Sequence, residues 1–237
     1  MSKQQLNRSN SLSVQDFLKK SDDLVAQPNS KNSGRLLFAM DATASREHAW
    51  DMACQIQADM FMSTQEIGNL EISLCYYRGY NEFKSFPWSS NASKLHDQML
   101  QVRCLAGHTQ IKRTLDHAIQ SCVKQKIKAV VLVSDSFEES IDEVGMAAGK
   151  LAMLGVPVFV FHEGQDAGAK SAFQHIAQLS NGAYCRFDHN SVAQLKELLC
   201  AVASFAVGGF DALEKQSQQG SSIARSIIKQ LPNQPTK

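Results

Sequence analysis

The sequence predicts an α/β fold: a doubly wound, mostly parallel sheet with one antiparallel edge strand and helices on both faces. Three observations predict it. Short apolar runs such as Leu36–Met40 and Val130–Val133 lack the alternation of a half-exposed strand, so both of their faces are to be buried. Segments of helical periodicity fall between those runs, the pattern that builds parallel sheets through crossover connections. One pair of strands, by contrast, is joined only by Arg78-Gly79-Tyr80-Asn81, a link short enough to make an antiparallel hairpin.

In chain order, Arg35–Met40 is the first strand. Glu47–Met62 follows, with Ala49, Ala53, Ile56 and Met60 at helical spacing. Glu71–Tyr77 and Glu82–Trp88 form the hairpin. Ala92–Val102 and Gln110–Lys124 read as helices, and Ala129–Ser134 as the next buried strand. Glu138–Leu154 is a helix that turns Val144, Ala147, Ala148 and Leu151 inward. Val156–Phe161 is a strand with Pro157 at its start, where a missing N–H costs least. Ala169–Leu179 is a helix stopped by Asn181-Gly182. Ala183–Phe187 closes the sheet and Ser191–Val207 is its last helix. Domain organisation follows: a polar arm over 1–34 with a short helix at Ser13–Val25, a folded domain over 35–208, and a polar tail over 209–237. In that tail a short helix near Ser222–Leu231 has two open destinations, a partner or the domain itself.

Length and composition narrow the function. A chain of 237 residues, 43% hydrophobic and 20% charged, is long enough for one sizeable core. A formal charge of +1 with both signs interspersed gives no field to hold a phosphate backbone, so nucleic acid is a poor partner. The longest apolar stretch, Leu198–Val207, is far short of the roughly 20 residues of a membrane span. The first residues lack the apolar core of a secretory signal. Six cysteines without Cys-x-x-Cys spacing read as reduced, mostly buried thiols. The expected location is cytoplasmic.

Three separate segments carry the chemistry. Asp41-Ala42-Thr43-Ala44-Ser45 directly follows the first strand, Gly107-His108-Thr109 opens a helix, and Asp135-Ser136 directly follows Val130–Val133. Ligands of an open α/β sheet bind beyond the carboxyl ends of its strands, so Asp41 and Asp135 are expected to be neighbours there. Carboxylates and hydroxyls without His or Cys are hard oxygen ligands, suited to Mg²⁺ or Mn²⁺. Each piece also has a plainer reading. Asp41 and Ser45 suit the cap of the following helix, and Asp135 and Ser136 that of the helix near Glu138. His108 reads as a solvent-exposed rim residue and Glu47 as a first-turn carboxylate at the helix dipole. Glu138-Glu139 and Asp142-Glu143 read as a solvated helix face. Tyr76, Tyr77, Tyr80, Phe86 and Trp88 read as packing of the hairpin edge.

Taken together and in order, the three segments resemble the metal-ion-dependent adhesion site of von Willebrand factor A domains, the module also seen as integrin I domains. That motif is Asp-x-Ser-x-Ser, then a Thr, then an Asp after the fourth strand. Asp41, Thr43 and Ser45 match the first part, with Thr43 in place of a Ser. Thr109 in Gly-His-Thr-Gln-Ile matches the Thr, and Asp135 matches the final Asp, although Ser136 follows it where the family usually has Gly. The resemblance covers about Arg35–Val207. It implies a Rossmann-like sheet and a Mg²⁺ (or Mn²⁺) held by the hydroxyls of Thr43, Ser45 and Thr109. Asp41 and Asp135 would act partly through water, and an open position would take a Glu or Asp of a partner protein. It further implies a non-enzymatic scaffold or regulator of the bacterial, intracellular kind, of the sort found beside AAA+ ATPases.

Two other functions compete. A Mg²⁺-dependent hydrolase or phosphatase also places acidic groups at strand ends. Here Thr43 stands where an Asp-x-Asp motif would have its second carboxylate, and phosphate-loop and nucleophile-elbow motifs are missing from the sequence. The third reading is a metal-independent scaffold that binds through its terminal arms.

Overall fold

The structure, a computed structural model, describes residues 34–47, 70–187 and 192–232. The chain divides into two units, Met1–Ser33 and Gly34–Lys237, and every described residue belongs to the second. The expected helices at Ser13–Val25 and, beyond Glu47, Glu47–Met62 lie outside the described residues.

Among the described residues are six strands: β1 (Gly34–Asp41), β2 (Leu70–Arg78), β3 (Glu82–Ser85), β4 (Ala129–Ser134), β5 (Val158–Glu163) and β6 (Ala183–Phe187). They form one sheet in the order β3-β2-β1-β4-β5-β6. All neighbours pair in parallel except β2 and β3, the antiparallel hairpin at one edge. The fold class read from the sequence is the one observed. The helices are α1 (Ala92–Leu100), α2 (Ile111–Lys124), α3 (Ile141–Met153), α4 (Ala167–Leu179), α5 (Val192–Gln218) and α6 (Ser222–Ile228), with a 3₁₀ turn at Ala44–Arg46.

Strand alternation divides the core in two. Leu36, Phe38 and Met40 face one layer with Val131, Val133, Phe159 and Phe161, beneath α1, α5 and α6. Leu37 and Ala39 face the other with Val130, Leu132, Val158 and Val160, beneath α2, α3 and α4. Because both parities of a central strand are covered, β1 and β4 carry no polar face until their carboxyl ends.

Four of the boundaries that differ from the sequence reading have a clear physical reason. β3 ends at Ser85, near Pro87, which has no N–H for the ladder; Phe86 still donates to the Leu74 carbonyl at 2.8 Å, and beyond Pro87 Ser89 exchanges both backbone bonds with Ile72 at 2.9 Å. β5 starts after Pro157, whose carbonyl accepts the N–H of Val130. α3 starts at Ile141 rather than Glu138, since Glu138 and Glu139 turn away to serve the neighbouring loop. The last helix does not stop at Val207. It runs to Gln218 and bends at Gly209, where φ 65° and ψ −152° suit only glycine. In the segment read as a polar tail, Leu213, Ala224, Ile227 and Leu231 are buried in the core, so α6 docks on the domain. The stop at Asn181-Gly182 is as expected. Asn181 takes the left-handed conformation, and the N–H groups of Gly182 and Asn181 close on the carbonyls of Ala177 and Gln178.

Candidate metal centre

The chain leaves β1 toward β2 on one side and reaches β4 on the other, so the crevice opens between the ends of β1 and β4. The register places Met40 beside Val133. Asp41 and the Ser134-Asp135 pair therefore emerge side by side. Across the other flank, Asp41 is in register with Tyr77 at the end of β2.

Asp41 is fully buried and its carboxylate accepts three hydrogen bonds from the protein. Oδ1 accepts the N–H of Thr43 at 2.8 Å. Oδ2 accepts the hydroxyls of Ser134 at 2.7 Å and Tyr77 at 3.0 Å. Burial raises the Asp41 carboxyl above its ordinary range, while Arg46 and the bonds from Thr43 and Ser134 pull it back. The same burial, reinforced by the Asp41 charge, pushes the Tyr77 phenol well upward and keeps it a neutral donor.

The Thr43 N–H bond pulls the chain into a tight turn, and the 3₁₀ turn that follows sets the hydroxyls of Thr43 and Ser45 3.1 Å apart. Thr43 occupies the cap position of the 3₁₀ turn, without a side-chain bond, and the helix that Asp41 and Ser45 are expected to cap lies outside the described residues; at α3 the cap is Ser140 rather than Asp135 or Ser136.

Thr109 is carried by a loop anchored beside Thr43. Leu105 bridges to Thr43 and its N–H bonds the carbonyl of Ala42 at 3.0 Å. Gly107 lies so close to Gly79 that an added Cβ would sit 2.0 Å from the Gly79 carbonyl oxygen, so only glycine allows this approach. The hydroxyl of buried Thr109 accepts the N–H of Glu138 at 3.2 Å, and Glu138 in turn accepts the N–H of Thr109. Glu139 accepts the first two N–H groups of α2, from Ile111 and Lys112. Glu138 is exposed as expected, but it and half-buried Glu139 precede α3, and both tie the Thr109 loop to the Asp135 loop; Asp142 and Glu143 do face solvent. His108 is an exposed rim residue as expected, with its Nδ1 3.2 Å from Glu138 and its ring edge-on to Tyr80.

Sequence reasoning missed a buried cation beneath these loops. Arg46 directly follows Ser45, and its side chain is 1% exposed. Its Nε and Nη2 both lie 2.7 Å from Glu163 Oε2 at the end of β5, and Nη1 donates to the carbonyl of Asp41 at 2.6 Å. Burial opposes the Arg46 charge, but Glu163 and Asp41 more than offset it and hold the guanidinium protonated. In the sequence nothing distinguishes this Arg from a surface one. Tyr77 and Ser134 left a weak signal, as polar groups closing otherwise apolar strands.

The donor set suits a hard cation. Two adjacent ligands of an octahedral Mg²⁺, each about 2.1 Å from the ion, lie about 3 Å apart, the separation of the Thr43 and Ser45 hydroxyls. Among the described residues no three His, Cys, Asp or Glu side chains converge, so an ion here would rest on hydroxyls and water. Ser45 is exposed and Asp135 half-buried, so both can be reached from solvent.

No family model and no curated protein matches the sequence. Solved structures do match. Proximal thread matrix protein 1 from the mussel byssus aligns with 72% of this chain and 48% of its own, at 18% identity and a TM-score of 0.60. The SpRpn10 VWA domain aligns with 70% of this chain and 94% of its own, at 11% identity and a TM-score of 0.57. The fold is von Willebrand factor A-like. The PilB minor pilin from Streptococcus sanguinis is similar over 81% of this chain and 63% of its own, at 13% identity and a TM-score of 0.58. The vWA-like chain thus spans about half the length of the mussel protein. One structure of that mussel protein, 15% identical over 79% of this chain and 50% of its own with a TM-score of 0.59, has a zinc-occupied adhesion motif. No described helix of the vWA-like chain is long and apolar enough to cross a membrane.

Proposed function

We propose that this vWA-like chain is a metal-dependent protein-binding module, a scaffold or regulator rather than an enzyme. Its partner is a protein presenting a Glu or Asp side chain. The observation that carries the reading is the paired hydroxyls of Thr43 and Ser45, 3.1 Å apart beside a carboxylate already satisfied by the protein. Thr43, Ser45 and Thr109 would hold Mg²⁺ (or Mn²⁺) by their hydroxyls, with Asp41 and Asp135 supporting them. When bound, the ion supplies a site for an external carboxylate. With few direct carboxylates it keeps residual positive charge and gains from one more.

The chain's own residues set the conditions. Tyr77, Ser134 and the Thr43 N–H hold Asp41 in one orientation. Arg46 offsets part of the negative charge, yet the carboxylates of Asp41, Asp135 and Glu163 outnumber it, so the site favours a cation. The mussel structure with its zinc-occupied motif supports metal binding by analogy of fold. Cytoplasmic action, beside an AAA+ ATPase or a comparable machine, completes the proposal.

Calorimetric titration of the purified chain with Mg²⁺ and Mn²⁺ tests the metal. Affinity capture from host lysate, with wild type and Asp41→Ala each in Mg²⁺ and in EDTA, tests the partner. Proteins retained only by wild type in Mg²⁺ are the expected result. The same proteins in all four samples would return the function to the terminal arms, and turnover of a phosphoester lost in Asp135→Asn would make it an enzyme.

A further inference from the structure

Among the described residues the sheet has two edges, and the two are finished differently. At one, β3 is a short antiparallel strand. At the other, β6 turns the backbone groups of Tyr184 and Arg186 away from β5, and glutamine side chains meet them. The Tyr184 N–H donates to Gln230 Oε1 at 2.9 Å, and Gln230 Nε2 donates back to the Tyr184 carbonyl at 3.0 Å. A single side-chain amide thus makes the two-bond ring that a residue of a neighbouring antiparallel strand would make. Gln194 Nε2, from the first turn of α5, donates to the carbonyl of Arg186 at 3.2 Å. Gln194 and Gln230 belong to different helical segments and both bond the same exposed edge, Gln230 Nε2 also donating to the Ser226 carbonyl at 3.3 Å.

We propose that β6 is a strand-addition site kept closed by Gln230 and Gln194, and that its occupant when open is β6 of a second copy of this chain. Unpaired sheet edges are templates for such pairing, and proteins guard them. Here the guard is light: all three bonds lie at exposed positions, where water competes for each group. Beside the edge lies an open groove of about 520 Å³, lined by Gln174, Gln178, Asn181, Tyr184, Gln230 and Pro232, so Gln230 has room to swing aside.

Self-pairing is favoured by the side chains. An antiparallel pair centred on Cys185 sets Tyr184 of each copy opposite Arg186 of the other, and these are the residues whose backbone groups face outward. The two then exchange ladder bonds while each guanidinium meets a phenol ring. Sliding the register to face Arg186 with Arg186 opposes like charges. β6 also contains neither Pro nor Gly to break the pairing.

The test uses the full chain in EDTA, which separates it from the metal proposal. Gln194→Ala/Gln230→Ala is compared with wild type by amide exchange and by sedimentation across a wide concentration range. At low concentration the Tyr184 amide is expected to exchange about five- to tenfold faster, the loss of one modest hydrogen bond. Self-association is expected to tighten at least tenfold, and a further Arg186→Pro, which removes an outward N–H, to restore wild-type behaviour. Unchanged Tyr184 exchange would overturn the latch. Faster exchange without tighter association, association that survives Arg186→Pro, or an opened edge that binds only an unrelated extended peptide would overturn the second copy as occupant.

Discussion

Replacing Arg46 by Met gives the most demanding test of how the site is supported. The guanidinium and Glu163 side chains are 1% and 7% exposed, and Arg46 donates to Glu163 Oε2 through Nε, holds Nη2 in ion-pair contact with the same oxygen, and donates to the Asp41 carbonyl through Nη1. The variant fills the space with an unbranched apolar chain but leaves a carboxylate buried without its partner. Breaking a buried ion pair on one side costs about 3–5 kcal/mol, whereas replacing both members by uncharged groups of similar volume is often neutral. Arg46→Met is therefore expected to lose about 3–5 kcal/mol. With a urea slope of about 2–3 kcal/mol/M, the unfolding midpoint drops by about 1–2.5 M. Arg46→Met/Glu163→Gln is expected to recover most of that, so a double-mutant cycle should report a coupling of about 2–4 kcal/mol. Equilibrium urea unfolding of the four proteins, followed by circular dichroism, measures it. A loss below about 1 kcal/mol for Arg46→Met, or a cycle that closes additively, would refute the claim that this pair anchors the loop of Thr43 and Ser45.

Three further outcomes are expected. Tyr77→Phe removes one donor from the buried Asp41 carboxylate and should cost about 1.5–3 kcal/mol of stability while weakening metal binding; urea unfolding and calorimetry read the two effects. Gly107→Ala forces a Cβ against the Gly79 carbonyl and should cost about 1–3 kcal/mol and displace Thr109, whereas Gly149→Ala, which meets only open space inside α3, should stabilise by up to about 1 kcal/mol. His162 is buried with Nδ1 2.9 Å from the Tyr184 hydroxyl, and burial holds its pKa below the ordinary value against the pull of Asp135 and Asp166. The unfolded chain then binds the extra proton first, so stability is full above about pH 6.5 and falls as pH drops toward the lower folded value. His162→Gln should flatten that slope in melting curves.

The sequence by itself determined the sheet and its direction of winding. Periodicity and apolar runs are local, and burial of both faces of β1 and β4 follows from composition alone. The places of Asp41 and Asp135 were legible too, because strand ends are fixed once the strand order is. What the tertiary structure alone decided are pairings between residues distant in sequence. Tyr77 read as edge packing, yet parallel register brings its hydroxyl to Asp41. Glu138 and Glu139 read as surface charge, yet they bind the loop of Thr109 and the start of α2. Arg46 is buried only because Glu163, 117 residues away, ends β5 beneath it. The segment after Val207 is polar enough to pass for a tail, and the bend at Gly209 lets its few apolar residues reach the core. In each case the side chain's chemistry is plain in the sequence, but its partner is supplied by the crossing of strands and helices, which no local pattern encodes.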